Sequence, residues 1–190
     1  MPHFDHFDFL APLYEKVIPG KEPEEFWRLA SLPTNGSVLD AGGGTGRVAQ
    51  HLIGKADQVV IADLSCGMLK EAGQKSGLAP VCSATEDLPF QDGTFSRVIM
   101  VDALHHVVHQ ADTIRDLWRM LQPGGILLIE EPDIRKFGVV LIAIMEKVFL
   151  MRSHFLSPPK IAELIQFSDA EVRIEQDGAT AYIIAKKRVG

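Results

Sequence analysis

Between Ser37 and Glu131 the chain alternates short runs rich in Val, Ile and Leu with stretches of helical pattern, and no other feature narrows its fold as far. Five runs read as strands, at 37–41, 58–63, 79–83, 97–102 and 126–130. None alternates cleanly between apolar and polar residues, the pattern expected of strands covered on both faces. Helical candidates lie between them at 47–53, 66–75 and 111–121. In the last, Ile114, Leu117, Trp118 and Leu121 recur at i, i+3, i+4 and i+7, which is one buried helix face. Such alternation predicts a parallel sheet built from right-handed βαβ units. Asn35-Gly36 punctuates the chain before the first strand, and Gln122-Pro123-Gly124-Gly125 is expected to break it before the fifth.

The flanks extend this core into one domain over 1–190, with the core itself at 36–131. Residues 1–30 read as a helical cap, in which Pro23 followed by Glu24 and Glu25 suits a helix start. The segment 137–151 is apolar nearly all round and must be covered, and Ser157-Pro158-Pro159 opens a further helix through Gln166. At the end, 170–175 and 179–186 flank Gln176-Asp177-Gly178, the signature of an antiparallel hairpin over 169–187.

Composition excludes several classes. The net charge of -6 lacks the basic face that phosphate neutralisation demands, so nucleic acid is not the expected partner. The N-terminus MPHFDHFDFL is acidic where a secretion signal would be basic, and Glu146-Lys147 interrupts the longest apolar stretch short of a membrane span. A cytoplasmic location is therefore expected, with no stable membrane insertion. Cys66 and Cys82 are too far apart for a CxxC motif, so they are expected as reduced thiols.

The chemistry begins at Val38-Leu39-Asp40-Ala41-Gly42-Gly43-Gly44-Thr45-Gly46, directly after the first strand. Glycines allow a sharp turn and a close approach of backbone to ligand, and the N–H groups of a following helix start favour a polar partner. The loop lacks the Gly-Lys-Ser/Thr ending of a phosphate loop, but Gly44 to Ala49 satisfies the dinucleotide pattern G-x-G-x-x-A. Asp40 weighs against a pyrophosphate, which its carboxylate would repel, and for a cationic amino-acid moiety. Asp63, 17 residues after Gly46, ends the second strand where a carboxylate can take ribose hydroxyls. The combination points to S-adenosyl-L-methionine.

Five segments in order, FDFLAPLYEKV, VLDAGGGTG, IADLSCGML, ATEDLPFQDGTFSRVIMVDALHHV and LQPGGILLIEEP, resemble the class I S-adenosylmethionine-dependent methyltransferases, in the branch of the ubiquinone and menaquinone biosynthesis enzymes. The resemblance implies a Rossmann-like, doubly wound, mostly parallel seven-stranded sheet with helices on both faces and an antiparallel C-terminal hairpin strand. It implies that Asp40, Gly42, Gly43, Gly44, Thr45 and Gly46 surround the methionine part of the cofactor and that Asp63 binds the ribose. Leu64 and Met68 would pack on the adenine, Ala84, Thr85 and Glu86 would lie at its edge, and Val101 and Asp102 would lie where cofactor and acceptor meet. Tyr14, in the N-terminal helix that closes over the cofactor, would reach the active site, and helices in 137–166 would lie on the substrate side.

Methyl transfer to a phenol, hydroxyl or carbon acid needs a base. His106 is the preferred candidate because histidine titrates near neutrality, with Glu131 second and His105, His109, Glu130 and Asp133 nearby. The histidine groups His3/His6 and His105/His106/His109 lack the ligand set of a recognised metal site, so no metal is expected. The expected activity is methyl transfer to a small acceptor, leaving S-adenosyl-L-homocysteine. The helix at 137–151 would supply either an apolar acceptor pocket or a homodimer contact. A nicotinamide-dependent oxidoreductase and a non-catalytic S-adenosylmethionine-binding protein are the competing readings.

Overall fold

A computed structural model describes residues 24–136, 139–140 and 153–190. The strands are β1 (Ser37–Ala41), β2 (Gln58–Asp63), β3 (Leu78–Cys82), β4 (Phe95–Val101), β5 (Leu121–Pro132), β6 (Ala170–Asp177) and β7 (Thr180–Lys187). The described helices are α1 (Glu24–Ala30), α2 (Cys66–Ala72), α3 (Gln110–Met120) and α4 (Pro158–Glu163). The strands form one seven-stranded sheet in the order β3-β2-β1-β4-β5-β7-β6. β1 to β5 run parallel, whereas β7 pairs antiparallel with both β5 and β6. The chain order reverses direction across the sheet between β1 and β4, and sheets of this kind bind ligands outside the strands' carboxyl ends at such a point.

Successive residues of the central strands feed two cores, one on each face, as the two-residue period of a strand requires. Val38, Ile99 and Leu128 join the core beneath α1, and Leu39, Val98, Met100, Leu127 and Ile129 join the core beneath α3 and α4. α3 turns Ile114, Leu117 and Trp118 inward as expected, together with Thr113 and Met120, while Leu121 already belongs to β5. The Arg97 side chain donates to the carbonyls of Ala30 and Ser31, satisfying acceptors that the end of α1 leaves without helical partners.

Four local expectations are corrected. The Gln122–Gly125 punctuation does not break the chain before the fifth strand: β5 starts at Leu121, paired with Phe95, and the pairing shifts register between Phe95 and Arg97. The segment 47–53 holds only a 3-10 turn at Ala49–Leu52, because Gly46 and Gly54 bound it at positive φ and too few residues lie between to sustain an α-helix. β3 is an edge strand covered incompletely, which is also why it tolerates Pro80. Cys66 and Cys82 form a disulfide, with Cα atoms 5.7 Å apart, because parallel pairing of β2 and β3 brings the start of α2 beside the end of β3. The cap at 1–23 and most of 137–151 lie outside the described residues. Among those described, no helix is long and apolar enough to cross a membrane.

Ile99 is fully buried on the middle strand of the sheet. Ile99→Ala should cost about 2–5 kcal/mol of folding free energy, read as a lower urea midpoint at unchanged slope.

Candidate cofactor and acceptor site

β1 ends on Asp40 and Ala41, and the chain then turns back over its own last carboxylate. Gly42, Gly44 and Gly46 all take positive φ, a conformation that an L side chain resists. A Cβ on Gly42 would lie 2.7 Å from the Ala103 Cβ, and one on Gly43 would lie 2.7 Å from the Asp40 carboxyl. Gly44 approaches Met68, whose Sδ would stand 3.1 Å from a Cβ there. The loop is thus a backbone-only surface between the strand ends and α2.

Beneath it Asp40 is buried, and neither carboxyl oxygen has a hydrogen-bond partner of ordinary geometry. The neighbouring Thr45 hydroxyl is likewise buried and unpartnered. Burial, and next the nearby Asp63 carboxylate, push the Asp40 carboxyl up to about 7, with the Arg47 guanidinium and the Ala49 N–H pulling the other way. A buried polar atom without a partner is costly in a folded protein and calls for an explanation.

Asp63 faces the loop from the end of β2. Its Oδ2 accepts the Gly44 N–H at 2.9 Å and its Oδ1 accepts the Ser65 N–H at 2.7 Å, fixing the plane of the carboxylate. Ser65 caps α2, its Oγ accepting the Met68 N–H at 3.2 Å, and so places the buried Met68 against Gly44. Leu64 projects outward, 69% exposed, at the rim. Thr85 approaches from beyond β3, its Cγ2 4.0 Å from where a Gly42 Cβ would sit, and its hydroxyl lies 3.3 Å from Glu86 Oε2. Ala84 is half-buried beside it, and Val101 ends β4 half-buried. Asp102 follows at φ 50, donating its N–H to the Glu130 carbonyl. The expected cofactor residues Asp40, 42–46, Asp63, Leu64, Met68, 84–86, Val101 and Asp102 therefore gather around the glycine loop at the carboxyl ends of the strands.

The acceptor side is built differently from the expectation. Glu131, the second candidate base, is buried on β5: its Oε1 accepts the Leu104 N–H at 2.8 Å and its Oε2 meets His105 Nδ1 at 2.6 Å. The His105 ring stacks on Phe155 at 4.3 Å and lies against His106 at 4.1 Å. Burial, and then the adjacent His105, hold the His106 imidazole down to about 4, so it is neutral at pH 7. Its Nδ1 lies 3.4 Å from the Ser153 hydroxyl. Asp133 is occupied by Arg135 and Gln176, and Arg135 holds its carboxyl below the ordinary range. Tyr14 lies outside the described residues.

Sequence reasoning missed two partners in this site. Arg47 stands 3.5 Å from Asp102, largely shielded, and its position directly after Gly46 was the available signal. The His105–Glu131 pair spans two strand ends, and nothing local announces it.

Residues 39–129 match the methyltransferase domain family Methyltransf_11. The ubiquinone/menaquinone biosynthesis C-methyltransferase UbiE of Pseudomonas fluorescens strain SBW25 is 37% identical over 153 residues, 75% of this chain and 57% of its own length. The chain thus spans little more than half of that relative. Among solved structures, an S-adenosylmethionine-dependent methyltransferase of Thermotoga maritima superposes with a TM-score of 0.77 at 23% identity, covering 96% of this chain and 98% of that one. The [4+2]-cyclase SpnF reaches 0.79 at 17% identity, covering 97% and 94%, so the architecture alone does not dictate the reaction. Residues 39–129 thus match a methyltransferase domain, and the loop and sheet order are those of the similar solved structures.

The residues present fit S-adenosyl-L-methionine. The loop offers a surface without Cβ atoms, an unpartnered buried acid lies under it, and a second oriented carboxylate stands at the next strand end. Gly42→Ala places a side chain against Ala103 at positive φ. It should destabilise the fold by about 1–2 kcal/mol or more and abolish S-adenosylhomocysteine binding in calorimetry.

Proposed function

We propose that the chain transfers a methyl group from S-adenosylmethionine to a small-molecule acceptor held over the carboxyl ends of β4 and β5. The observation that carries this reading is the Asp40 carboxyl, buried and unpartnered beneath a loop that only glycine can form. Its negative charge, acting across a few ångströms of low-dielectric interior, favours a cationic amino-acid moiety on the loop above. Asp63 would take the ribose hydroxyls, Leu64 and Met68 would cover the adenine, and Ala84, Thr85 and Glu86 would border it. Val101 and Asp102 would lie at the junction with the acceptor.

When bound, the cofactor supplies a methyl already activated on a sulfonium. The chain's own task is to align the acceptor and exclude water. The loop 102–106 does this from a clamped position, since Glu131 holds both the Leu104 N–H and the His105 ring. The printed name of the UbiE relative describes a C-methyltransferase, and a carbon acid must lose a proton. The neutral His106 imidazole and the Glu131–His105 pair are the groups at the strand ends that would receive it, with Tyr14 contributing from the cap. The chain would act as one domain over 1–190 in the cytoplasm. Residues 1–30 would close over the cofactor, and the apolar surface of 137–151 would receive an apolar acceptor or a second copy of the chain.

Calorimetry with S-adenosylhomocysteine tests the cofactor assignment directly. Asp40 binds its proton more tightly folded than unfolded, so its contribution to stability is present at low pH and is lost as pH rises through about 7. The ionised form is the one that attracts the cation, so affinity should rise with pH and level off above about 7, with proton release on binding. Asp40→Asn should flatten both dependences, stabilise the ligand-free protein at pH 8, and weaken binding about tenfold or more, as expected for losing a charged partner. Binding to NAD instead of S-adenosylhomocysteine would overturn the reading. Screening acceptors for S-adenosylhomocysteine release tests turnover itself, and binding without release from any acceptor would leave a cofactor-binding protein.

A further inference from the structure

The Cys66–Cys82 disulfide lies at the adenosine end of the proposed cofactor site, and no step proposed above uses it. Cys66 opens α2 immediately after Asp63, Leu64 and Ser65, and Cys82 sits opposite Asp63 in the β2–β3 register. The same few residues are tied to the glycine loop. Asp63 accepts the Gly44 and Ser65 N–H groups, Ser65 caps α2 and thereby places Met68, and the Ser83 N–H donates to the Asp63 carbonyl at 3.0 Å. The bridge therefore ties the segment 63–68, which carries Asp63, Leu64 and Met68, to the end of β3.

Both pieces it joins are held by packing and by one neighbouring strand: α2 buries Met68, Leu69 and Ala72, and the bridge adds a covalent tie at its first residue. α2 has 7 residues, too few for a helix to persist by its own hydrogen bonds. β3 is an edge strand that pairs only with β2. Both cysteines are exposed, as is Leu64 between them and Asp63, so small thiols can reach the bridge. Exposed disulfides of this kind are the labile, regulatory ones, in contrast to buried staples. The Cys82 sulfur also lies 3.7 Å from the Leu64 carbonyl, which would accept the Cys82 thiol once the bridge opens.

We propose that the Cys66–Cys82 pair is a redox switch on cofactor affinity, with the disulfide form binding S-adenosylmethionine and its product more tightly than the dithiol form. The inference rests on the cofactor reading above. Closure consumes two thiols and one low-molecular-weight disulfide. The Cys66 or Cys82 thiolate attacks that disulfide, releasing one small thiolate, and the second cysteine displaces the other. One protein S–S bond forms, one small-molecule S–S bond breaks, and two small thiols leave with the two cysteine protons. Opening is the same exchange in reverse. The closed bridge limits the motion of α2 against β3, so less ordering is left to be done when ligand binds.

Titrating the wild-type protein with S-adenosylhomocysteine, once oxidised by glutathione disulfide and once reduced by dithiothreitol, tests the switch. The oxidised form should bind at least about fivefold more tightly, the lower end of ordinary allosteric coupling. Because coupling is reciprocal, saturating S-adenosylhomocysteine should shift the glutathione redox equilibrium of the pair toward disulfide by the same factor, read by thiol alkylation and mass spectrometry. Cys66→Ser and Cys82→Ser should bind like the reduced wild type under both conditions. A bridge that only staples the fold would lower the melting temperature on reduction while leaving affinity unchanged, and that result would overturn the proposal. Failure of the bridge to form with glutathione disulfide would overturn it too. Absence of binding in both redox states would instead overturn the cofactor reading, and this inference with it.

Discussion

The structure turns on a buried carboxyl placed where the chain must fold back over it. Asp40 ends β1 in the middle of the sheet, and the residues after it leave no space for side chains on either side: Ala103 blocks one direction and the Asp40 carboxyl the other. A glycine path is the only one sterically open, and three of its residues lie at positive φ. The arrangement is poor for stability, since an acid without a partner is buried and its proton affinity is raised. Local choices that weaken a fold and yet persist tend to mark the place where it works.

Around this point the site is assembled from strand ends that are remote in sequence. Asp63 reaches Gly44 across 19 residues and Glu131 reaches His105 across 26, so the order of strands in the sheet sets the site's geometry. The two carboxylates act in different ways. Asp63 orients the glycine loop through the Gly44 N–H, whereas Glu131 clamps the segment after β4 and holds His105 between His106 and Phe155. The acceptor side is consequently drier than a loop cluster of acids and histidines suggests. Its burial explains why His106 stays neutral, with an imidazole less basic than an exposed one.

Much of this was legible in the residues before any coordinates. The apolar runs located every strand of the parallel core, and for all but the partly covered β3 the reason is that a strand buried on both faces writes its environment into consecutive residues. The hairpin was legible from Asp177-Gly178, and the inward face of α3 from the spacing of Ile114, Leu117 and Trp118. The glycine loop announced a close backbone approach because glycine is the one residue whose use there is steric. What misled was punctuation. Pro123-Gly124-Gly125 reads as a break, yet the strand absorbs it as a change of register against β4, and 47–53 reads as a helix although its two bounding glycines leave room for only a 3-10 turn.

Periodicity, turn chemistry and steric need are encoded within a few neighbouring residues, and those determined the parallel sheet, the hairpin and the place of the loop. Distances between segments are not encoded that way. Cys66 and Cys82 looked like independent thiols until the parallel pairing of β2 and β3 brought them together, and Glu131, a candidate base in the sequence, gained its buried partners only when β5 carried it under Leu104 and His105. Burial of Asp40, neutrality of His106 and the joining of α2 to β3 all follow from which distant elements become neighbours. Only the tertiary structure decides that, because packing and desolvation belong to the assembled neighbourhood and not to any one stretch of chain.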